Sequence, residues 1–94
     1  MKKNILLVDD DDKLRELISI YLEEKGFKLS TCSDINEAED LTDHFIFDLI
    51  ILDRMLPGGD GINLIKKIKL KSNSAILMLT ALGNSNERIN GLKT

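Results

Sequence analysis

Three short apolar runs, each stopped by a polar residue, constrain this chain more than any other feature of its sequence. Ile5-Leu6-Leu7-Val8 stops at Asp9, Leu49-Ile50-Ile51-Leu52 at Asp53, and Ala75-Ile76-Leu77-Met78-Leu79 at Thr80. Continuous apolar runs of this length fit strands buried on both faces, as in a parallel sheet. Between them the period changes. Leu14, Leu17, Ile18, Tyr21 and Leu22 fall on one face of a helix, which Asp11 or Asp12 can cap and Gly26 can end. Phe27, Leu29 and Thr31 alternate with Lys28 and Ser30, predicting an edge strand with one wetter face. Asp34-Ile35-Asn36-Glu37 has capping-box spacing, and Ile35, Ala38, Leu41 and Phe45 predict a short second helix. Pro57-Gly58-Gly59-Asp60-Gly61 reads as a loop. Asp60 can then cap a third helix that buries Ile62, Ile65 and Ile68 and leaves Lys66, Lys67, Lys69 and Lys71 as a solvated face. A last helix is expected to begin near Ser85 to Glu87. The order βαβαβαβα predicts one α/β domain, a doubly wound parallel sheet with helices on both faces.

Composition excludes several functions. Thirteen Lys and Arg stand against sixteen Asp and Glu, so the chain lacks the basic footprint of a nucleic-acid binder. Aromatic residues make up 4%, too few for a base-stacking platform. Cys32 is the single cysteine, which excludes an internal disulfide framework and a cysteine-rich zinc site. The four apolar residues after Met1-Lys2-Lys3-Asn4 are too few for a signal-peptide core or a membrane span, and a cytoplasmic location is expected. The sequence contains no GxGxxG after a strand, no P-loop and no GxSxG elbow.

The chemistry gathers where the apolar runs stop. In an open α/β sheet, ligands bind beyond the carboxyl ends of the strands, at the point where strand order reverses. Asp9, Asp10, Asp53 and Thr80 are expected to converge there. Crowded carboxylates repel one another, and a hard divalent cation, Mg²⁺ above all, relieves that repulsion. One carboxylate can then act as a nucleophile on phosphorus, with Thr80 donating its hydroxyl to a phosphoryl oxygen. Asp11, Asp12, Asp34 and Asp60 read as helix caps or turn formers. Cys32 reads as a small strand residue, Met55 and Met78 as packing residues, and His44 as an exposed residue at a helix end.

These residues resemble the receiver domains of bacterial two-component response regulators over the full length of the chain. Ile5 to Asp11 looks like the first strand and acidic pair, and Leu49 to Asp53 like the third strand and phosphoacceptor. Asp53-Arg54-Met55-Leu56-Pro57-Gly58-Gly59-Asp60-Gly61 matches the loop after the phosphorylated aspartate. Ile76 to Ala81 matches the fourth strand and switch threonine. Glu87-Arg88-Ile89-Asn90-Gly91-Leu92 resembles the fourth helix of regulators that carry a winged-helix DNA-binding domain.

The resemblance implies a flavodoxin-like receiver fold with strand order 2-1-3-4-5. It implies that Asp53 accepts a phosphoryl group from a sensor histidine kinase. Asp9, Asp10, Asp53 and the Met55 backbone carbonyl would hold Mg²⁺, while Thr80 and the Ala81 backbone N–H contact the phosphate. The output is a change of conformation rather than turnover, controlling transcription through a DNA-binding domain not in this chain. This domain itself would touch neither DNA nor membrane. In the family a fifth strand, a lysine and a fifth helix follow, and residues 1–94 stop before them, so the domain reads as C-terminally incomplete. That predicts an open sheet edge at Ala75–Leu79 and solvent on Leu7, Ile51 and the first helix, with a homodimer or strand exchange as one way to cover them.

Overall fold

The computed structural model describes residues 2–53, 55–56 and 59–79. Its main strands are β1 (Asn4–Val8), β2 (Lys28–Cys32), β3 (Leu49–Asp53) and β4 (Ala75–Leu79). The helices are α1 (Asp12–Glu24), α2 (Ile35–His44) and α3 (Gly61–Lys71). The four strands are parallel in the order β2-β1-β3-β4. The chain leaves β1 outward to β2, then returns to the other side of β1 for β3, so strand order reverses between β1 and β3.

The pleat sends alternate residues to opposite faces. Leu6, Val8, Ile50 and Leu52 join Cys32, Phe47, the α2 residues Ile35 and Ala38 and the α3 residues Leu64 and Ile68 in one core. Ile5, Leu7 and Ile51 form the second core, with Ile18 and Leu22 of α1 packed against it. The sheet is therefore a layer between α1 and the α2–α3 pair.

Local chemistry sets the helix ends. The Asp11 carboxylate accepts from the Lys13 and Leu14 backbone N–H groups at 3.0 and 3.1 Å, so Asp11 rather than Asp12 caps α1. Gly26 follows α1 at φ 95°, a left-handed conformation that favours glycine, and its N–H returns to the Glu23 carbonyl. Asp34 caps α2 by accepting from Glu37 N–H at 2.8 Å. The box does not close reciprocally, because the Glu37 carboxylate takes the Ser33 hydroxyl instead.

Several expectations are corrected. Phe45 is not on the buried face of α2. Its N–H closes the last turn on Leu41, its backbone turns extended, and the side chain is 60% exposed. Phe47, two residues further along the extended chain, enters the core. In α3 the buried positions are Gly61, Leu64 and Ile68, with Ile65 at the margin and Ile62 exposed, because the helix is rotated to face Leu52 through Gly61. The stretch expected as a loop before α3 contains a two-residue antiparallel ladder that pairs Met55 with Asp60 and Leu56 with Gly59. Lys67 and Lys71 are more than a solvated face. Glu39 and Asp43, spaced i, i+4 on α2, meet them across the helix pair, with Lys67 Nζ 2.7 Å from Glu39 Oε1.

β4 is not buried on both faces. Ile76 and Met78 pack into the α2–α3 core, but Leu77 is 51% exposed, because α1 lies over β1 and β2 on the other side. Leu7 and Ile51, expected to meet solvent, are buried instead. β1 and β3 are central strands, and Ile18 and Leu22 already cover them. β4 does stand at an edge of the described sheet. The last helix, expected near Ser85 to Glu87, lies outside the described residues.

Candidate functional site

The β1–β3 register ends with Val8 opposite Leu52. The next residue on each strand is an aspartate, so Asp9 and Asp53 come side by side where strand order reverses. Both are nearly buried, at 2% and 8% exposure, while Asp10 is exposed at the rim. One carboxylate oxygen from each of Asp9, Asp10 and Asp53 lies within 4.8 Å of the other two. The structure thus brings together the three acids that the sequence places at strand ends.

Asp9 is fixed by its surroundings. Its N–H donates to the Cys32 carbonyl at 3.1 Å, continuing the β1–β2 ladder by one rung. Its Oδ1 accepts the Asp11 N–H at 2.8 Å. That bond turns the chain from the strand into the cap of α1. Its second carboxylate oxygen remains available to a cation. At the neighbouring strand end, Gly61 opens α3 against β3. A Cβ at Gly61 would stand 3.0 Å from Leu52 Cδ2 and 3.3 Å from the Asp53 carbonyl oxygen. The glycine lets α3 approach the strand that carries Asp53.

The three carboxylates suit a hard divalent cation. Mg²⁺ prefers an octahedron of oxygens and keeps several waters, so a few carboxylates around a rim open to solvent match its demands. Met55 lies two residues beyond Asp53, its backbone paired with Asp60. β4 reaches the same edge, with Leu79 opposite Asp53. Thr80 and Ala81, expected next, lie outside the described residues.

Residues 5–94 match the response regulator receiver domain. The chain belongs to this family. The receiver is 40% identical over 90 residues to the protein PetR of Rhodobacter capsulatus, covering 96% of this chain and 38% of PetR. It is 37% identical over 94 residues to the transcriptional regulatory protein SrrA of Staphylococcus aureus, covering all of this chain and 39% of SrrA. The receiver thus spans well under half the length of these curated relatives. Among solved structures it superposes on the non-phosphorylated HemR receiver domain from Leptospira biflexa with a TM-score of 0.79 and 38% identity, covering 98% of this chain and 75% of that one. The receiver fold, with sheet order 2-1-3-4, is therefore shown as expected.

Residues read as structural are structural here. Cys32 is buried in the α2–α3 core, and burial, reinforced by Glu37 and Asp34, pushes its thiol up to about 12. His44 closes α2 in solvent, its Nδ1 2.8 Å from the Asp40 carbonyl oxygen. Met78 packs against the core. Two residues near the site differ from the sequence reading: Gly61, expected in a loop, is the buried first residue of α3, and Arg15 has no sequence signal at all.

Proposed function

We propose that this receiver is a phosphorylation-driven signalling switch, with Asp53 as phosphoacceptor and a sensor histidine kinase as donor. The observation that carries the reading is the convergence of the Asp9, Asp10 and Asp53 oxygens within 4.8 Å, in a chain that matches the receiver family over residues 5–94. Asp9, Asp10, Asp53 and the Met55 carbonyl are the groups that would hold Mg²⁺. When bound, the cation offsets the negative charge of the incoming phosphoryl group.

In the transfer, an Asp53 carboxylate oxygen attacks phosphorus. An O–P bond forms, the P–N bond to the kinase imidazole breaks, and its electron pair stays on the imidazole nitrogen. Asp53 sits at the end of a central strand, and its backbone is held in register between β1 and β4. The nucleophile is thereby oriented before the donor arrives. Asp9 and Asp10 supply the facing carboxylates, and Thr80 and the Ala81 N–H are the groups that would take up the new phosphoryl oxygens. Those contacts bias a two-state conformational equilibrium, so the output is a change of shape rather than turnover. The name of SrrA supports control of transcription, exerted through a DNA-binding region beyond this chain. Among the described residues no helix is long and apolar enough to cross a membrane, which accords with a cytoplasmic place of action.

The test is incubation with a small phosphodonor and Mg²⁺, followed by intact-mass measurement. One added phosphoryl group is expected, absent when the metal is chelated before the donor is added and absent in Asp53→Asn. Uptake that persists in Asp53→Asn would refute the assignment, and continuous turnover of the donor would make the chain a phosphatase instead.

A further inference from the structure

Arg15 touches the candidate site from behind. It lies in the first turns of α1, and its guanidinium makes a fork. Nη1 donates to the Asp9 backbone carbonyl at 2.7 Å, and Nη2 donates to Asp12 Oδ1 at 2.6 Å. Its side chain is only 21% exposed, whereas that of Asp12 is 86% exposed. A surface arginine pairing with an i−3 aspartate is ordinary and contributes little. The bond to Asp9 is different, because it reaches back six residues to the strand end.

The carbonyl of Asp9 belongs to the peptide unit that joins Asp9 to Asp10. The Asp9 N–H is already held by the Cys32 carbonyl and its Oδ1 by the Asp11 N–H. No hydrogen bond or ion pair holds the Asp10 carboxylate among the described residues. The direction in which Asp10 leaves the chain is therefore set by the plane of the Asp9–Asp10 peptide. Arg15 grips that plane by its oxygen.

We infer that Arg15 is a positioning residue for the cation site: its guanidinium fork fixes the Asp9–Asp10 peptide so that the two carboxylates are preset to share a divalent cation. The inference rests on the metal reading above. It has a definite sign that electrostatics alone would reverse. A fixed positive charge beside a cation site repels the cation, so simple removal of the charge strengthens binding. Loss of a group that orients the ligands weakens it, commonly by 10- to 100-fold for supporting residues of metal sites. Positioning therefore predicts weaker binding when Arg15 is replaced by an uncharged residue of similar length.

The test measures the affinity of the protein for Mg²⁺ alone by calorimetry, in the wild type, Arg15→Met and Arg15→Lys. Each is measured under conditions where circular dichroism shows it folded, and thermal unfolding is recorded in parallel. Expected is about 10-fold weaker binding in Arg15→Met. Partial recovery is expected in Arg15→Lys, whose single ammonium can reach the Asp9 carbonyl but not Asp12 at the same time. Should Arg15→Met be less heat-stable yet bind Mg²⁺ as the wild type does, the residue is only structural and the inference falls. Tighter binding in Arg15→Met, or no recovery in Arg15→Lys, overturns it equally. A wild type that binds no Mg²⁺ brings down the metal reading itself, and this inference with it. Binding in the wild type that is unaltered in both variants removes this inference alone.

Discussion

The two faces of the sheet are covered unequally. On one face α2 and α3 contribute Ile35, Ala38, Leu64 and Ile68 to a core of ten buried residues that also takes Leu6, Val8, Ile50 and Leu52. On the other face, among the described residues, α1 is the one helix that packs. None of its residues is fully buried, and the core there has three buried members, Ile5, Leu7 and Ile51. Leu17, Tyr21 and Leu77 remain largely exposed around an apolar groove of about 340 Å³. The sequence is equally apolar on both sides, so the difference lies in coverage and not in composition. The acidic site sits at the carboxyl edge of the two central strands, which are covered on both faces. Its backbone is therefore held by the well-packed part of the molecule.

The largest effect should come from truncating matched leucines on the two faces. Leu52 is completely buried beside Asp53, and Leu52→Ala should cost about 2–5 kcal/mol. Leu77→Ala removes a side chain already half in water and should cost about 1 kcal/mol or less. Denaturant unfolding of both variants measures the gap. Equal losses would mean that the open face is as well packed as the covered one.

How much of this was legible depends on how local each signal is. β1 and β3 could be read because burial on both faces leaves only apolar residues between their polar ends. The caps Asp11 and Asp34 could be read because a cap bonds N–H groups two or three residues away. β4 shows where such reading ends. Its apolar run has the same pattern as β3, and nothing in Ala75 to Leu79 records that Leu77 is left half exposed. The exchange of Phe45 for Phe47 turns on where α2 stops, and a shift of one residue there moves every later side chain. For the site, Asp9, Asp10 and Asp53 were legible as strand ends, since the reversal of strand order brings them together. Arg15 was not, because its bond is to a backbone carbonyl, which carries no sequence identity. Ser74 is a similar case at the opposite edge. Its hydroxyl donates to the Phe47 carbonyl at 2.5 Å and ties the start of β4 to that of β3.

A smaller effect tests how closely the covered face is fitted. Gly61→Ala places a methyl group 3.0 Å from Leu52 Cδ2 and 3.3 Å from the Asp53 carbonyl oxygen. Overpacking of this kind costs about 1–3 kcal/mol, partly offset by the better helix propensity of alanine. A net loss near 1 kcal/mol is expected in thermal unfolding. Slower phosphoryl uptake should accompany it, since the strain falls on the strand end that carries Asp53. A variant as stable as the wild type, with unchanged uptake, would show that α3 approaches β3 less closely than the distances indicate.

The smallest effect lies on the rim of the covered face, where contacts are ionic and exposed. The imidazole of His44 is raised above the usual 6.5, first by its hydrogen bond to the Asp40 carbonyl and then by the Asp40 and Asp43 carboxylates. Lys71 of α3 faces Asp43 and holds that carboxyl below its ordinary range, so Asp43 stays charged while His44 titrates. A pKa higher in the folded state than in the unfolded chain favours folding while the group is protonated. The His44 contribution is therefore fully present below about pH 6.5 and fades as the pH rises through its higher folded midpoint. Because the ring is open to solvent, the change in stability should be slight, far below that of Leu52→Ala. NMR titration of the His44 ring protons should give a midpoint above 6.5, moving down in Asp40→Asn, which removes the nearer carboxylate and leaves the backbone carbonyl. A wild-type midpoint at or below 6.5 would mean that the end of α2 does not hold the ring, and that this rim contributes nothing to the covered face.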